Sequence, residues 1–309
     1  MTVVSITEVG LRDGLQAESA PFSTEQKVEL ANKLLAAGVR RLEAASFVSP
    51  KAVPRMADAE AVVKGIDRPD GLILEALVPN VRGGERAAAV NLDVWVPFIS
   101  ASETHSLANA NSGVEEAFAR IRPLPEMAAQ AGATTSAVIV TAFDCPFEGQ
   151  TSVEQVIRIA KWFEGIGVTT LKLGDTIGTA SPTRVKKLVS ELQRQVPSME
   201  LVLHFHNTRG LGLVNVLAGI ESGVTRFEAS IGGIGGCPFA PGATGNVSTE
   251  DVVHMLHLEN METGLDLNKL IEAGRYVAGV FDRPLPSHVL NAGPVGTLHH
   301  FDEGQRAIG

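Results

Sequence analysis

The feature that most limits how this chain of 309 residues can fold is a regular alternation of short apolar runs with longer stretches of helical spacing. The runs are rich in β-branched residues and have the length of buried strands. Eight of them occur, at 3–9, 39–45, 72–78, 92–99, 135–143, 169–173, 200–205 and 224–230. Strands separated by helices pair in parallel through right-handed crossovers, so the pattern predicts an α/β fold, the (β/α)8 TIM barrel. A doubly wound open sheet is the alternative.

Helix start signals lie between these runs. Ser23 and Gln26 form a candidate capping box, Thr151 and Glu154 form another, and Ser181-Pro182 is a good N-cap and first-turn pair. Further helices are expected near 57–65, 82–90 and 114–131. No linker rich in glycine and serine interrupts the chain, so we expect a single domain over 1–309. It would consist of a barrel over about 1–262 and a C-terminal helical extension over about 263–309.

Composition narrows the range of functions. Lys and Arg number 26 against 35 Asp and Glu, and the net charge of −9 argues against a nucleic-acid partner. Two cysteines cannot supply the disulfide framework of a small secreted domain. No apolar run reaches the roughly 20 residues that span a bilayer, and no basic region precedes the first apolar residues. We therefore expect a soluble cytoplasmic protein with no membrane partner.

In a TIM barrel, chemistry belongs at the C-terminal ends of the strands and in the loops that follow them. Arg12 and Asp13 follow the first strand, where a carboxylate can bind a hard metal ion and a guanidinium can stabilise a negative oxygen. A surface ion pair in an Asp-Gly turn is the alternative. Glu43 lies within the apolar second strand, where a charge is rarely left unpaired. It either faces the barrel near Arg12, or it faces outward or belongs to a structural ion pair.

A second candidate cluster, His204-Phe205-His206, ends the seventh strand. Side chains two apart on a strand face the same way, so both imidazoles can converge on one ion, although a lone histidine is more often structural. Asn246 can add a side-chain oxygen. Such ligands suit Mg²⁺ or Mn²⁺ better than structural zinc. Asp175 closes the sixth strand and is either catalytic or only shapes a turn.

The loop after the eighth strand concentrates the scarce residues of the chain. Six of the 31 glycines surround Cys237 there, namely Gly232, Gly233, Gly235, Gly236, Gly242 and Gly245. Glycine allows backbone angles closed to other residues, so Cys237 is predicted to act as an acid or base when a mobile loop closes. A flexible loop with an inert thiol is the alternative. Ser248 and Asp251 follow as a capping pair, which is a sufficient explanation for Asp251. A hard ion, an arginine and a mobile thiol together describe enolate chemistry.

Five stretches of the chain resemble the 3-hydroxy-3-methylglutaryl-CoA (HMG-CoA) lyases, a family within the metal-dependent barrels that make or break a carbon–carbon bond next to an acyl-CoA. They read EVGLRDGLQAE, LEAASFVSPKAVPRMAD, KLGDTIGTASP, HFHNTRG and GGIGGCPFAPGATGNVSTED. The resemblance covers most of the chain, and these stretches lie between residues 8 and 251. The last is the most specific, because the glycine-rich cysteine loop separates the lyases from the related acyl-transfer synthases.

The resemblance implies a reaction and a role for each residue. An acyl-CoA thioester, HMG-CoA, would be cleaved to acetoacetate and acetyl-CoA in leucine degradation. The enzyme would be a homo-oligomer, a dimer or higher, that uses Mg²⁺ or Mn²⁺ and neither NAD nor pyridoxal phosphate. The metal ligands would be Asp13, His204, His206 and Asn246. The catalytic residues would be Arg12, which stabilises the enolate, Cys237, which protonates it, and Glu43, which positions Arg12, with Asp175 and His204. The substrate-binding residues would be Arg12, Gln16, Lys172 and Gly236.

Some positions depart from the family pattern, and they lie at loops that form the acyl pocket. Asn207 and Arg209 interrupt a stretch that commonly reads HDTYG, and Lys172 stands where a serine is common. The segment after the fourth strand, SASETHSLANANSG, is expected to be a loop and lacks the lysine and asparagine run usual in the family. The near alternative is therefore the same cleavage of another thioester, such as citramalyl-CoA or a longer 3-alkyl-3-hydroxyglutaryl-CoA. More distant alternatives are a synthase that condenses acetyl-CoA with a 2-oxo acid, and a non-enzymatic barrel in which Cys237 and Cys145 form a redox-sensitive pair.

Overall fold

A computed structural model describes residues 2–18, 22–236 and 245–296, and in them a parallel sheet closes into a barrel. The strands are β1 Ser5–Glu8, β2 Arg41–Ser46, β3 Ile73–Leu77, β4 Val94–Val96, β5 Phe98–Ser100, β6 Thr134–Val140, β7 Asp144–Cys145, β8 Gly149–Gln150, β9 Thr170–Asp175, β10 Glu200–Phe205 and β11 Arg226–Ala229. Hydrogen bonds join them in the order β4-β3-β2-β1-β11-β10-β9-β6, and β4 also pairs with β6, which closes the ring. The prediction of a TIM barrel is confirmed, and the alternative of an open sheet is wrong.

Two short strands share the fourth position of the barrel. Pro97 separates β4 from β5, because proline has no backbone N–H to donate to the ladder. β5 continues alongside β6 in parallel register, with Ser100 opposite Val140. Each of the eight predicted runs overlaps at least one observed strand. The additional strands β7 and β8 form a small antiparallel hairpin after β6.

Helices connect the strands around the outside, as the periodicity predicts. They are α1 Leu15–Ala17, α2 Thr24–Ala36, α3 Ala59–Gly65, α4 Val81–Ala88, α5 Glu103–Ala110, α6 Val114–Ile121, α7 Leu124–Gln130, α8 Val153–Gly165, α9 Pro182–Gln195, α10 Gly212–Glu221, α11 Thr249–Leu258, α12 Leu267–Phe281 and α13 His288–Ala292. The capping box at α2 is complete, since Ser23 and Gln26 each accept the other's backbone N–H. None of the described helices is long and apolar enough to cross a membrane.

Three details of the helices differ from the sequence expectation. The helix expected at 114–131 is two helices, because Pro123 starts a new one. The N-cap of α8 is Ser152, whose Oγ accepts from the amide of Gln155, so the capping box predicted at Thr151 is wrong by one residue. Helix α5 occupies a stretch that the sequence predicts as a loop, because its residues ETHSLANA include few apolar ones.

The described chain ends in two helices, α12 and α13, that follow the barrel. Asp266 caps α12 and lies close to the predicted start of the C-terminal extension. Asp251 holds α13: its carboxylate accepts from the hydroxyl of Ser287 at 3.0 Å and from the amides of His288 and Val289 at 3.0 and 2.8 Å. Ser248 caps α11 as predicted, since its Oγ accepts the amide of Asp251 at 3.2 Å. Capping is not a sufficient explanation for Asp251, however, because its side chain ties the C-terminal helix to the barrel.

Candidate active site

The first strand delivers two charged side chains to the barrel mouth through an unusual turn. After β1 the backbone winds as a π-helical turn, Gly10–Gly14. In this turn the backbone amides of Arg12 and Asp13 both donate hydrogen bonds to the carbonyl oxygen of Val9, with N···O distances of 3.1 and 2.8 Å. Such turns are rare in proteins overall, and where they occur they are often part of a functional site. The turn brings Asp13 beside the histidines at the end of β10.

Asp13, His204 and His206 form one cluster. The Oδ2 atom of Asp13 lies 3.9 Å from Nε2 of His204 and 3.6 Å from Nε2 of His206. The three potential ligand atoms lie within 4.8 Å of one another. Two ligands at about 2.1 Å from one ion can be at most about 4.2 Å apart, and both separations from Asp13 satisfy that limit. The cluster is therefore a possible site for a divalent metal ion.

Asn246 adjoins the cluster from the glycine-rich loop. Its Nδ2 donates to Oδ2 of Asp13 at 2.8 Å and to the carbonyl of Ile234 at 3.1 Å. A backbone bridge joins Asn246 to His206. Gly235 has a φ of +119°, and a Cβ there would lie 2.7 Å from Nδ2 of Asn246. Glycine is thus required by the backbone conformation and by the close approach of the amide.

Arg12 is held between two carboxylates. Its Nε donates to Oε2 of Glu43 at 2.7 Å, and its Nη1 donates to Oδ1 of Asp13 at 2.5 Å. Burial by itself would raise the pKa of Asp13, but Arg12 and the two imidazoles outweigh it and hold that pKa well below its usual range. Burial raises the pKa of Glu43, although Arg12 opposes this. The structure places Glu43 in a buried ion pair beside Arg12, so the alternative of an outward-facing residue is wrong.

Beneath the cluster, a second set of charges lies inside the barrel. Nδ1 of His204 is 2.8 Å from Oε2 of Glu228, and the Nζ of Lys172 donates at 2.6 Å both to Oε1 of Glu228 and to Oε2 of Glu75. Burial opposes the charge of Glu228, but Lys172 and His204 outweigh it and lower the pKa of Glu228. Burial would lower the pKa of Lys172, but the carboxylates of Glu228 and Glu75 outweigh it and raise that pKa.

The base of the glycine-rich loop rests on two buried acids. Glu8 accepts the amides of Gly10 and Ile231 at 2.7 and 2.9 Å. Glu250 accepts the amide of Gly232 at 2.9 Å. Burial raises the pKa of Glu8 to about 7 and that of Glu250 to about 8, because a charge there is poorly solvated. Both acids hold backbone that leads to the site, since Gly10 begins the turn that carries Arg12 and Asp13, and Ile231 and Gly232 begin the glycine-rich loop.

A cavity of about 200 Å³ opens beside the cluster. Among the predicted site residues, its lining includes Arg12, Asp13, Gln16, His204, His206 and Gly236. Its apolar lining consists of Val48, Val53, Leu77, Phe98, Val138 and Val140. Oε1 of Gln16 is buried without a hydrogen-bond partner among the described residues, so an acceptor is available for a ligand. His105 and Asn109 of α5 also line the cavity, and the sequence reasoning missed both because it placed them in a loop.

The remaining predicted residues lie in different places. Asp175 is buried, and its two oxygens accept the amides of Thr179 and Ala180 at 2.9 and 3.1 Å, so it shapes the turn after β9. Lys172 is 0% exposed and is not among the residues that line the cavity. Cys237, predicted as the catalytic acid, lies outside the described residues.

A family model described as HMGL-like matches residues 3–277. The chain belongs to this family. It is 42% identical to the hydroxymethylglutaryl-CoA lyase YngG of Bacillus subtilis over 93% of this chain and 96% of that protein. It is 39% identical to the mitochondrial hydroxymethylglutaryl-CoA lyase of Homo sapiens over 94% of this chain and 89% of that protein. A solved HMG-CoA lyase of Acinetobacter baumannii, in complex with coenzyme A and 3-methylmalate, is 41% identical and superposes with a TM-score of 0.93, covering 97% and 98% of the two chains.

These likenesses settle which of the sequence predictions holds. The resemblance to the HMG-CoA lyases and the prediction of a carbon–carbon lyase are confirmed. The curated relatives match this chain over nearly their whole length, and they are named hydroxymethylglutaryl-CoA lyases. They therefore do not favour another thioester or a condensing synthase. A barrel without enzymatic activity is not favoured either.

Proposed function

We propose that this chain cleaves HMG-CoA to acetoacetate and acetyl-CoA at the cavity beside Asp13. The observation that carries the proposal is the meeting of Arg12 with the cluster of Asp13, His204 and His206 at the mouth of a barrel of the HMGL-like family. A buried cation beside a cluster of potential metal ligands suits a reaction in which negative charge develops on oxygen.

Asp13, His204, His206 and Asn246 would hold the divalent ion. Oxygen and imidazole ligands at these separations suit Mg²⁺ or Mn²⁺. When bound, the ion supplies Lewis-acid polarisation of the substrate oxygens and orients them. The glycine-rich loop keeps Asn246 against Asp13, since Gly235 leaves room for the amide.

The chain's own residues carry the proton and charge movements. The 3-hydroxyl loses its proton to a base, its oxygen becomes the ketone of acetoacetate, and the C2–C3 bond breaks with its electron pair passing to C2. Arg12 stabilises the resulting enolate of acetyl-CoA at the thioester oxygen, and Glu43 fixes the guanidinium for that task through the 2.7 Å contact. Cys237 gives its thiol proton to C2, which completes acetyl-CoA.

Substrate binding is assigned to groups that face the cavity. Gln16 offers a buried acceptor that has no partner among the described residues, and Gly236 lines the same space. The coenzyme A in the A. baumannii lyase supports an acyl-CoA thioester as the substrate here. Asp175 supports the site by fixing the turn after β9.

The test is identification of products from a panel of thioesters. Purified protein is stripped of metal, reloaded with Mg²⁺ or Mn²⁺, and given HMG-CoA, citramalyl-CoA or a longer 3-alkyl-3-hydroxyglutaryl-CoA. We expect acetoacetate and acetyl-CoA from HMG-CoA, dependent on the added ion. Faster turnover of another thioester would overturn the substrate, and full activity after metal removal would overturn the metal site.

We also propose that the protein works as a homo-oligomer, a dimer or higher, in the cytoplasm, in leucine degradation. The similarity to HMG-CoA lyases over nearly the whole chain supports this assignment. Light scattering on the purified protein, cell fractionation, and growth of a deletion strain on leucine test the three parts. A monomer, a secreted protein or normal growth would contradict the respective part.

A further inference from the structure

A buried chain of charges leads from the metal cluster into the barrel. His204 and Glu228 are direct neighbours in the register of β10 and β11, which explains the 2.8 Å contact between Nδ1 and Oε2. Lys172 reaches from β9 across the interior and joins Glu228 to Glu75 on β3. Glu75, Lys172 and Glu228 are only 0–3% exposed. The chain continues from Glu75 to Arg41, 3.3 Å away.

Each oxygen of Glu228 has a separate partner. Oε2 contacts His204 and Oε1 contacts Lys172, so the carboxylate cannot turn without losing one of them. A carboxylate that takes the Nδ1–H of an imidazole fixes the ring and leaves Nε2 unprotonated for a metal. In His204 it is Nε2 that faces Asp13. The contact therefore has the geometry of a support for a metal ligand.

Stability alone is a poor explanation for this chain of charges. Removing several charges from water is costly, and well-packed apolar residues in place of a buried ion pair are often equally stable or more so. Buried apolar side chains share the same strand faces, for example Leu77, two residues after Glu75, and Val202, two residues before His204. A charged chain that ends on His204 instead gives that ring a single orientation.

We propose that Glu228 is a positioning residue for His204, and that Lys172, by holding Glu228, sets how tightly the cluster binds its divalent ion. This inference rests on the metal site of the proposed function. It also gives Lys172 a place in the reaction that differs from direct substrate binding. Lys172 acts through Glu228 and the imidazole, and Glu75 fixes its ammonium from the other side.

The test measures Mn²⁺ binding directly, by titration calorimetry and by the electron paramagnetic resonance of free Mn²⁺. Glu228→Gln keeps the size of the side chain and removes its charge. We expect the Kd for Mn²⁺ to rise about 10- to 100-fold, the magnitude typical of lost support for a metal ligand. Raised Mn²⁺ should then restore most of the kcat. The absorption spectrum of the Co²⁺-loaded protein should also change, because the ring is no longer fixed.

A double variant tests the part played by Lys172. Lys172→Met combined with Glu75→Gln removes one charge of each sign, so the net charge of the barrel interior stays the same while Glu228 loses its ammonium partner. This variant also carries the test if Glu228→Gln fails to fold. The Kd should again rise. The control is Lys27→Met, which breaks a partly buried ion pair with Asp58 at 2.7 Å, away from the cluster; the Lys27 side chain is 6% exposed and that of Asp58 24%. It should lower thermal stability and leave the Kd unchanged.

The outcomes separate this inference from the proposed function. Asp13→Ala should abolish Mn²⁺ binding, and a wild-type protein that binds no Mn²⁺ would overturn the metal site and this inference together. Tight binding by wild type, loss in Asp13→Ala and a wild-type Kd in folded Glu228→Gln would overturn the inference alone. An equal rise of the Kd in Lys27→Met would likewise overturn it, since general destabilisation would then explain the effect.

Discussion

Glu8 is expected to make the protein less stable as the pH rises, and Glu8→Gln should remove that dependence. Glu8 is completely buried, and its pKa is raised from 4.5 to about 7. The folded state therefore binds the proton more tightly than the unfolded state, and the free energy of unfolding falls as the pH rises from 4.5 through about 7. At about 1.4 kcal/mol per pKa unit, the full effect is about 3 kcal/mol. This loss of stability is complete above the pKa of about 7 in the folded state and small near the pKa of 4.5 in the unfolded state.

The amide introduced by Glu8→Gln would reproduce the neutral acid. Its oxygen can accept the amides of Gly10 and Ile231, and its NH₂ can donate to the hydroxyl of Thr249, which now donates to Glu8. Urea unfolding followed by circular dichroism at about pH 5 and about pH 8 measures the difference between variant and wild type. We expect Glu8→Gln to be close to wild type, within about 1 kcal/mol, at the lower pH and about 3 kcal/mol more stable than wild type at the higher pH.

The control for this experiment is Glu272→Gln, which removes the same charge from an exposed position on α12. Its stability relative to wild type should not change between the two pH values. A Glu8→Gln variant that is destabilised equally at both values would refute the reasoning, because the carboxylate would then be charged and satisfied throughout. A stability difference that shrinks at the higher pH would refute the sign.

Further predictions concern the site and the C-terminal helix. Arg12→Gln and Cys237→Ala should each bind Mn²⁺ but lose about 10²–10³ in kcat, the usual effect of removing one electrostatic or proton donor; near-native turnover would contradict the assigned role. His206→Ala should raise the Mg²⁺ concentration needed for half-maximal activity, and an unchanged requirement would remove His206 from the ligand set. Asp251→Ala should cost about 2–4 kcal/mol, because the side chain accepts three hydrogen bonds at the start of α13. Hydrogen exchange should accelerate in α13 first, whereas uniform acceleration would place the effect elsewhere.

The barrel could be predicted from the sequence because its strands are buried on both faces. Such strands are nearly continuous apolar runs, and helical stretches between them leave few ways to connect a parallel sheet. The details that failed depend on single residues. Pro123 divides one helix, and the N-cap of α8 moves from Thr151 to Ser152, because either hydroxyl fits the local pattern. Helix α5 carries no apolar stripe strong enough to detect.

The meeting of Asp13, His204 and His206 could be predicted because these residues lie at the ends of strands. Asp13 follows β1, His204 lies near the end of β10 and His206 follows that strand, so the barrel alone brings them together at one mouth. His105 and Asn109 could not be placed in this way, because they reach the cavity from a helix that the sequence does not reveal.

Glu75 and Glu228 were missed although their signal was present. Each is a charge inside an apolar strand, as Glu43 is, and Glu43 was singled out for that reason. The sequence does not reveal the partner of these two glutamates. Both bind Lys172, which is 97 residues from Glu75 and 56 residues from Glu228 along the chain. Side chains that point into a closed barrel can pair across its axis. Which residues then meet depends on how the barrel closes and not on their separation along the chain. A charge in a strand therefore predicts that a buried partner exists, and only the closed barrel shows that the same ammonium serves two carboxylates, one of which also holds His204.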